Sequence, residues 1–307
     1  MSIFVAAAET GSFSAASRKL GTPLPTVSRK VAELEAHLNA RLLVRSTRRL
    51  TLTDAGTAYL AACKQILEQV TDAESAASGE YSTPRGDLVV TAPMVFGRLH
   101  VLPIVNDFLA TFPEIAVRLM LADRTLHLLD EHIDVALRIG KLPDSSMVAS
   151  QVGTLSRVVC ASPHFLAENG TPKTPGDLAG FACVDFDALP SGPIWTFAAR
   201  GARQQQSVPI QPCLSVNTAE AAIDAAIAGV GLTRVLSYQA ARAVEEGKLQ
   251  LVLREFEPEP IPVSLMHAGQ GPLPLKTRSF IDFAVPRLRA ALLGDKERLR
   301  VGGIAGR

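Results

Sequence analysis

The sequence predicts a multi-domain chain: a small helix-dominated module ending in a long helix, then a larger body of two α/β lobes. Three observations predict it. Residues 1–38 carry short helical patterns punctuated by Gly11, Gly21 and Thr22-Pro23. Apolar residues then recur along one helix face from Tyr59 to Ala77. From residue 87 onward strand and helix patterns alternate, as in a parallel sheet with crossover helices. A length of 307 residues accommodates more than one domain.

Residues 1–9 read as a helix with Ile3, Phe4 and Ala7 inward, ended by Gly11. Ser14 is placed to cap the second helix, with Phe13 stapling it from the position before that cap. Ala15, Ala16 and Leu20 supply its apolar face. Pro25 opens the third helix, because its missing N–H is not needed in a first turn. Val27, Val31, Leu34 and Leu38 follow at steps of four, three and four, and so share one face. At about 100° per residue, Arg29 points away from that face. Pro25 and Thr26 lie beside it, and Ser28 and Lys30 flank it. A helix that enters the DNA major groove by its N-terminal end needs this arrangement, and Arg can donate two hydrogen bonds to a guanine edge. A surface helix with a solvated Arg presents the same pattern, so this helix alone does not decide.

Residues 42–44 and 50–52 read as a hairpin around Arg45-Ser46-Thr47-Arg48-Arg49, a loop suited to phosphate or to the minor groove. Up to Leu52 there are eight cations (Arg18, Lys19, Arg29, Lys30, Arg41, Arg45, Arg48, Arg49) against Glu9, Glu33 and Glu35, a net +5. The whole chain carries only +1, so positive charge is concentrated here.

Thr53 caps a long helix over residues 54–78. Tyr59, Cys63, Ile66, Val70, Ala73 and Ala77 fall at alternating steps of four and three, the seam of paired helices. The alternative is one amphipathic helix lying on its own domain. Little local core is left for it to cover, so the expectation is a homodimer presenting two groove helices to two half-sites. Residues 78–86, rich in Gly, Ser, Thr and Pro, form a hinge.

In the larger body, strands are predicted at residues 87–91, 115–121 and 134–139, with helices at 93–111 and 126–131. The apolar run 152–161 carries the chain into a second lobe. There Ser162-Pro163 and Thr174-Pro175-Gly176-Asp177 open helices, 181–186 is a strand, and Asn217 with Glu220 forms a capping box before a helix ended by Gly229. A strand at 231–233 and a helix at 236–246 follow. Residues 261–267 return to the first lobe, residues 276–293 form a closing helix, and 294–307 form a loose tail. The boundaries are thus 1–52, 53–86 and 87–293, the last split into lobes of about 87–155 with 263–293, and 156–262.

A body built this way has a cleft between its lobes. Ligands of open α/β sheets sit at the carboxyl ends of strands near helix N-termini, which favour anions. The candidates here are Ala92, Pro93, Met94, Arg124, Thr125, Arg138, Ile139, Asn217, Thr218 and Thr233, and the expected ligand is a small anionic metabolite. For each residue a local role, a cap or a surface ion pair, is the competing account.

No catalytic constellation emerges. Gly229-Val230-Gly231 follows a helix instead of a strand and lacks a third glycine, so it reads as a helix stop. The six histidines are scattered, and His127 and His132 are five apart, a spacing that does not place two metal ligands on one helix face. Asp185 and Asp187 read as solvated loop acids. No metal and no cofactor is expected. Cys63, Cys160, Cys183 and Cys213 form no CxxC pair and read as buried small hydrophobes in a reducing compartment, with a thiol redox sensor as the alternative. No apolar run reaches the roughly 18 residues of a membrane span, and no signal segment precedes the first helix, so the expectation is a cytoplasmic protein without membrane partners.

Residues 4–56, FVAAAETGSFSAASRKLGTPLPTVSRKVAELEAHLNARLLVRSTRRLTLTDAG, resemble the winged helix-turn-helix of the LysR-type transcriptional regulators. The resemblance continues in GDLVVTAP, FGRLHVLP, HIDVALRIG, VCASPHFL and AAIAGVGLTR, and covers nearly all of the chain to about residue 293. It implies contact with double-stranded DNA from Pro25, Thr26, Ser28, Arg29, Lys30, Arg48 and Arg49, with Ser14, Arg45 and Thr47 completing the candidate set. It implies a dimer, assembly into a tetramer, contact with RNA polymerase, and a body like periplasmic binding proteins that senses a small molecule. Two departures stand out. Leu24 occupies a position where many members carry a base-reading Gln, and Met1 falls inside the first helix, where members usually have several more residues. An enzyme with a basic N-terminal extension, or a solute-binding protein, are the alternatives; the basic wing counts against the latter.

Overall fold

The computed structural model describes residues 1–45, 50–78, 83–123, 133–142, 147–186, 193–199, 205–268 and 273–302. The chain divides into two compact units, Met1–Pro84 with the short segment Gly271–Leu275, and Arg85–Gln270 with Lys276–Arg307.

In the first unit, α1 (Ser2–Thr10), α2 (Phe13–Leu20) and α3 (Leu24–Leu38) precede a hairpin of β1 (Leu43–Arg45) and β2 (Leu50–Leu52), then α4 (Asp54–Ser78). Gly11, Gly21 and Asn39 end the three short helices in the left-handed conformation, with φ of 63°, 60° and 48°. Alanine lets them approach closely: Ala6, Ala7 and Ala16 form one buried cluster with Val27. A second cluster joins Phe4, Val31, Leu42, Leu43 and Cys63. Glu35 Oε1 accepts from the Leu42 and Leu43 N–H groups at 2.8 and 3.0 Å, fixing the chain between α3 and the hairpin. Thr53 caps α4 as expected, its Oγ1 accepting from Gly56 N–H at 2.9 Å. The cap of α2 differs from expectation. Ser12, in extended geometry, accepts from Ala15 N–H, while Ser14 lies exposed on the helix. Phe13 is therefore the first helical residue and not a staple ahead of the cap.

The second unit holds two five-stranded sheets. The first has order β4-β3-β5-β14-β6 and is built from β3 (Gly86–Ala92), β4 (Ile115–Leu121), β5 (Val135–Ile139), β6 (Met147–Leu155) and β14 (Ile261–Ala268). The strands β3, β4 and β5 are parallel, and β14 runs antiparallel between β5 and β6. Between β3 and β4 the helical path is α5 (Met94–Phe96), a π-helical turn at Gly97–Val101, and α6 (Leu102–Thr111). Gly97 sits at the start of the π turn, where a Cβ would stand 2.2 Å from Leu121 Cδ2 and 3.2 Å from Ala92 Cβ, so a larger residue there would push the Leu121 side chain aside.

The second sheet has order β11-β8-β12-β7-β13 and repeats the plan. Its strands are β7 (Arg157–Ala161), β8 (Cys183–Asp185), β11 (Pro212–Ser215), β12 (Leu232–Leu236) and β13 (Gln250–Val252). Here β7 is the antiparallel strand between β12 and β13, as β14 is between β5 and β6. The helices of this lobe are α7 (Pro163–Asn169), α8 (Ala219–Ile227) and α9 (Ser237–Glu245), with a 3₁₀ turn at Pro175–Gly180 carrying the Thr174–Asp177 capping box. A hairpin of β9 (Ile194–Ala198) and β10 (Gln205–Pro209), which no alternation in the sequence announced, buries Trp195, Phe197 and Val208 against Phe165, Leu178 and Phe256.

The closing helix α10 (Leu275–Gly302) corrects the expected tail. Phe280, Ala284, Leu288 and Leu292 pack into the core of the first lobe, and Leu299 packs with Ala240, Val244 and Leu249 of the second. Asp295 is buried 3.1 Å from His100 Nε2, and Arg298 Nε lies 3.4 Å from Glu245 Oε2 on α9. Apolar packing thus continues past Gly294 and holds residues 294–302 helical. Among the described residues no helix is long and apolar enough to cross a membrane, and no group of His, Cys, Asp and Glu is arranged to hold a metal ion.

Candidate functional site

Two places are candidates, the outer face of α3 and the cleft of the α/β unit. On α3, Val27 and Val31 are fully buried, which turns the opposite face outward. Leu24 is 43 % exposed, Pro25 is exposed, and Thr26 and Ser28 are half-buried. Arg29 and Lys30 reach into solvent, with Arg29 Nε 3.8 Å and Lys30 Nζ 3.0 Å from the two oxygens of Glu33. The Lys30 hydrogen bond is the main cause that holds the Glu33 carboxyl below the usual range. The start of α3 is therefore a protruding end with short polar groups, one apolar side chain and two cations on a loose acidic tether. The side chain of Arg45, and Thr47, Arg48 and Arg49, lie outside the described residues.

The α4 seam divides. Tyr59 packs tilted against Phe4 with ring centroids 5.5 Å apart, and Cys63 is fully buried in the same cluster as Phe4 and Leu42. These two belong to the module's own core, contrary to the expectation that they face a partner. The reason is that α1 and the hairpin leave a groove that the first turns of α4 fill. Farther along, Ile66 and Val70 are 42 % and 47 % exposed. The side chains of Ala73 and Ala77 lie outside the described residues.

The α/β unit holds a cleft of about 390 Å³ lined from both lobes. Of the sequence-predicted residues, Pro93, Met94, Ile139 and Thr218 line it. Four others do not. Ala92 is buried in the core beneath. Arg138 alternates to the other face of β5 from Leu137 and Ile139, where its Nη1 donates to the Leu137 carbonyl. Thr233 is fully buried and donates to the Val184 carbonyl at 3.0 Å. Asn217 is exposed, because the cap of α8 is Thr218, which accepts from Ala221 N–H; Glu220 consequently closes no capping box and instead lies 2.7 Å from Arg98. Arg124 and Thr125 lie outside the described residues.

The cleft also contains residues the sequence reading missed, among them Asp123, Arg157, Phe186, Tyr238, Gln239 and Ile261. Arg157 and Ile261 stand at the two strand crossovers between lobes, so knowing where the chain crosses would have found them. Tyr238 projects from α9 into the first lobe, edge-on to Phe96 at 5.2 Å. Its phenol is pushed well up, chiefly by burial, and stays protonated at neutral pH. Asp185 is not a loop acid: it is buried and accepts from Trp195 Nε1 at 3.4 Å. Asp187, His127 and His132 lie outside the described residues. Cys63, Cys160 and Cys183 are buried as expected, with burial pushing the Cys160 and Cys183 thiols up to about 12, whereas Cys213 is exposed.

Comparison with known proteins decides what this arrangement belongs to. Residues 1–57 match the model of the bacterial regulatory helix-turn-helix protein, lysR family, and residues 82–289 match the LysR substrate binding domain. The chain belongs to the LysR family of transcriptional regulators. An HTH-type transcriptional regulator of Xanthomonas campestris pv. campestris is 36% identical over 290 residues, covering 93% of this chain and 84% of that protein. The regulator CrgA of Neisseria meningitidis is 32% identical over 298 residues, covering 96% of this chain and 98% of its own. The solved structure of CrgA, a LysR-type transcriptional regulator, superposes with a TM-score of 0.60 at 30% identity and covers 93% of this chain and 97% of that one. A LysR-type regulator binds DNA through its helix-turn-helix and carries an effector-binding domain, and the family is not enzymatic.

Proposed function

We propose that α3 of this LysR-type regulator enters the major groove at a two-fold-related operator. Arg29 reads a base edge, and Pro25, Thr26, Ser28 and Lys30 fit around it. The observation that carries this reading is the exposed, cationic start of α3 braced by buried Val27 and Val31. Ser14 on α2 and the basic loop with Arg45, Thr47, Arg48 and Arg49 complete the DNA-facing set, as phosphate contacts that position but do not specify. The exposed Ile66 and Val70 support pairing of two chains along α4, and tetramers and contact with RNA polymerase follow from the family likeness.

The effector is a small anionic molecule bound in the interlobe cleft, and the protein acts in the cytoplasm. The half-buried Arg157 supports the sign of the charge. Ligand that binds one arrangement of the lobes better than another shifts the population of DNA-binding forms. Footprinting of duplexes enriched from a random pool, with wild-type protein and Arg29→Ala, tests the first part. Loss of the protected two-fold pattern with Arg29→Ala supports it, and an unchanged footprint refutes it.

A further inference from the structure

We propose that the interlobe cleft takes a monocarboxylate with an apolar body, its one carboxylate on Arg157 and its far end uncharged or carrying a hydrogen-bond donor, and that it rejects dicarboxylates. This rests on the reading of the cleft as the effector site, and it names the ligand class.

Charge in the cleft is arranged by its ends. Arg157 begins β7, two residues after β6 ends, and is half-buried with no acid or carbonyl partner among the described residues. A guanidinium does not give up its proton, and leaving one half-buried and unpaired is unfavourable. Its two parallel N–H groups fit a carboxylate. The opposite end carries the chain's own acids. Asp123 follows β4, and its Oδ1 accepts from Met94 N–H at 2.9 Å, where an incoming anion would otherwise sit at the start of α5. Glu220, in the first turn of α8, holds Arg98 at 2.7 Å. Arg157, Asp123 and Glu220 line the same cleft, so a ligand held by one carboxylate on Arg157 turns its other end toward the acids, and a second carboxylate there would face them.

The middle of the cleft is apolar, with Met94, Ile139, Phe186, Leu236 and Ile261. Its neutral hydrogen-bonding groups are mostly engaged. Gln239 Oε1 accepts from Leu236 N–H at 2.8 Å and its Nε2 donates to Tyr238 Oη at 3.2 Å. Among the described residues nothing in this stretch compensates a buried ligand charge, so the body of the ligand is carbon-rich.

A matched series of six-carbon probes tests the proposal by isothermal titration of the full-length protein at neutral pH: hexanoate, 6-aminohexanoate, adipate and hexanamide. Hexanoate and 6-aminohexanoate are expected to bind at millimolar concentration. Adipate and hexanamide are each expected to bind at least about tenfold more weakly. Arg157→Gln should weaken hexanoate about thirtyfold, the loss of hydrogen bonds to a charged group, while leaving hexanamide unchanged. Asp123→Asn, which keeps an acceptor for Met94 N–H, should narrow the gap between adipate and hexanoate, and it tests the arrangement even if Arg157→Gln does not fold. Adipate or hexanamide matching hexanoate would overturn the proposal, as would no binding by any of the four. If a neutral compound binds the cleft and changes the operator footprint, the effector-site reading stands and only the ligand class fails. If hexanoate binds through Arg157 without any change in the footprint, the class stands and the regulatory reading of the cleft fails.

Discussion

Arg29→Ala separates recognition from stability. In the free protein the Arg29 side chain is 67% accessible, and its one ion pair among the described residues is 3.8 Å long, to a Glu33 that is itself 49% accessible and already bound by Lys30. Solvent screens such a pair, so removing it should leave the unfolding midpoint unchanged within error. On DNA the same guanidinium leaves water for a guanine edge, and a bidentate contact discriminates by about 1–3 kcal/mol. A paired site uses two copies, which gives about 2–6 kcal/mol, or about thirtyfold to twenty-thousandfold at 1.4 kcal/mol per tenfold. The assay is fluorescence anisotropy on duplexes enriched by the wild-type protein, against random duplex, over a range of salt. Specific affinity should fall by that factor while random-duplex affinity falls far less, since base contacts add little to the salt slope. Equal losses on both duplexes, or a lowered unfolding midpoint, would refute the reasoning.

Gly56→Ala would place a Cβ 2.0 Å from the Leu42 carbonyl oxygen, a backbone atom with nowhere to go. Urea unfolding should show the helix-turn-helix module destabilised by about 3 kcal/mol, the upper range for overpacking, with DNA binding lost alongside. Leu299→Ala, at a site 6 % exposed, should cost about 2 kcal/mol, the low end for a buried leucine because it lies near a helix end; a full-stability variant would return residues 294–302 to a tail. Glu246 is held down to about 2, chiefly by the Lys248 hydrogen bond and then by that of Arg242. A depressed carboxylate contributes stability above its unfolded value and loses it as pH falls. Glu246→Gln should therefore differ from wild type at neutral pH, and the difference should close between about pH 4.5 and pH 2 in thermal melts. Brief alkylation of native protein should label Cys213 and spare Cys63, Cys160 and Cys183 until denaturant is added, as read by peptide mass spectrometry.

The parts legible in the sequence were those where one local pattern meets one local cause. The spacing of Val27 and Val31 gave the buried face of α3, and Thr53 capped α4 where a threonine before an acidic first turn should. Alternation of strand and helix placed both lobes of the α/β unit. What failed was set by distant partners. Cys63 looked like part of a partner-facing seam because heptad spacing does not say which face the module's own α1 and hairpin will cover. Arg138 and Arg157 are equally basic in sequence, yet strand phase turns the first away from the cleft and the crossover delivers the second into it. The ends of helices misled by one or two residues, Ser12 for Ser14 and Thr218 for Asn217, since neighbouring polar residues compete for one cap.

The last helix has a mechanical consequence. Two strand crossovers alone would let the lobes swing like a book on a double spine. The helix α10 adds a third link, riveted through Phe280 and Leu288 to one cover and through Leu299 to the other. Opening the book would therefore have to bend this tie-bar or pull its final turn free. Cargo fused directly after residue 302 would load that bar, and a flexible spacer before it would spare the motion.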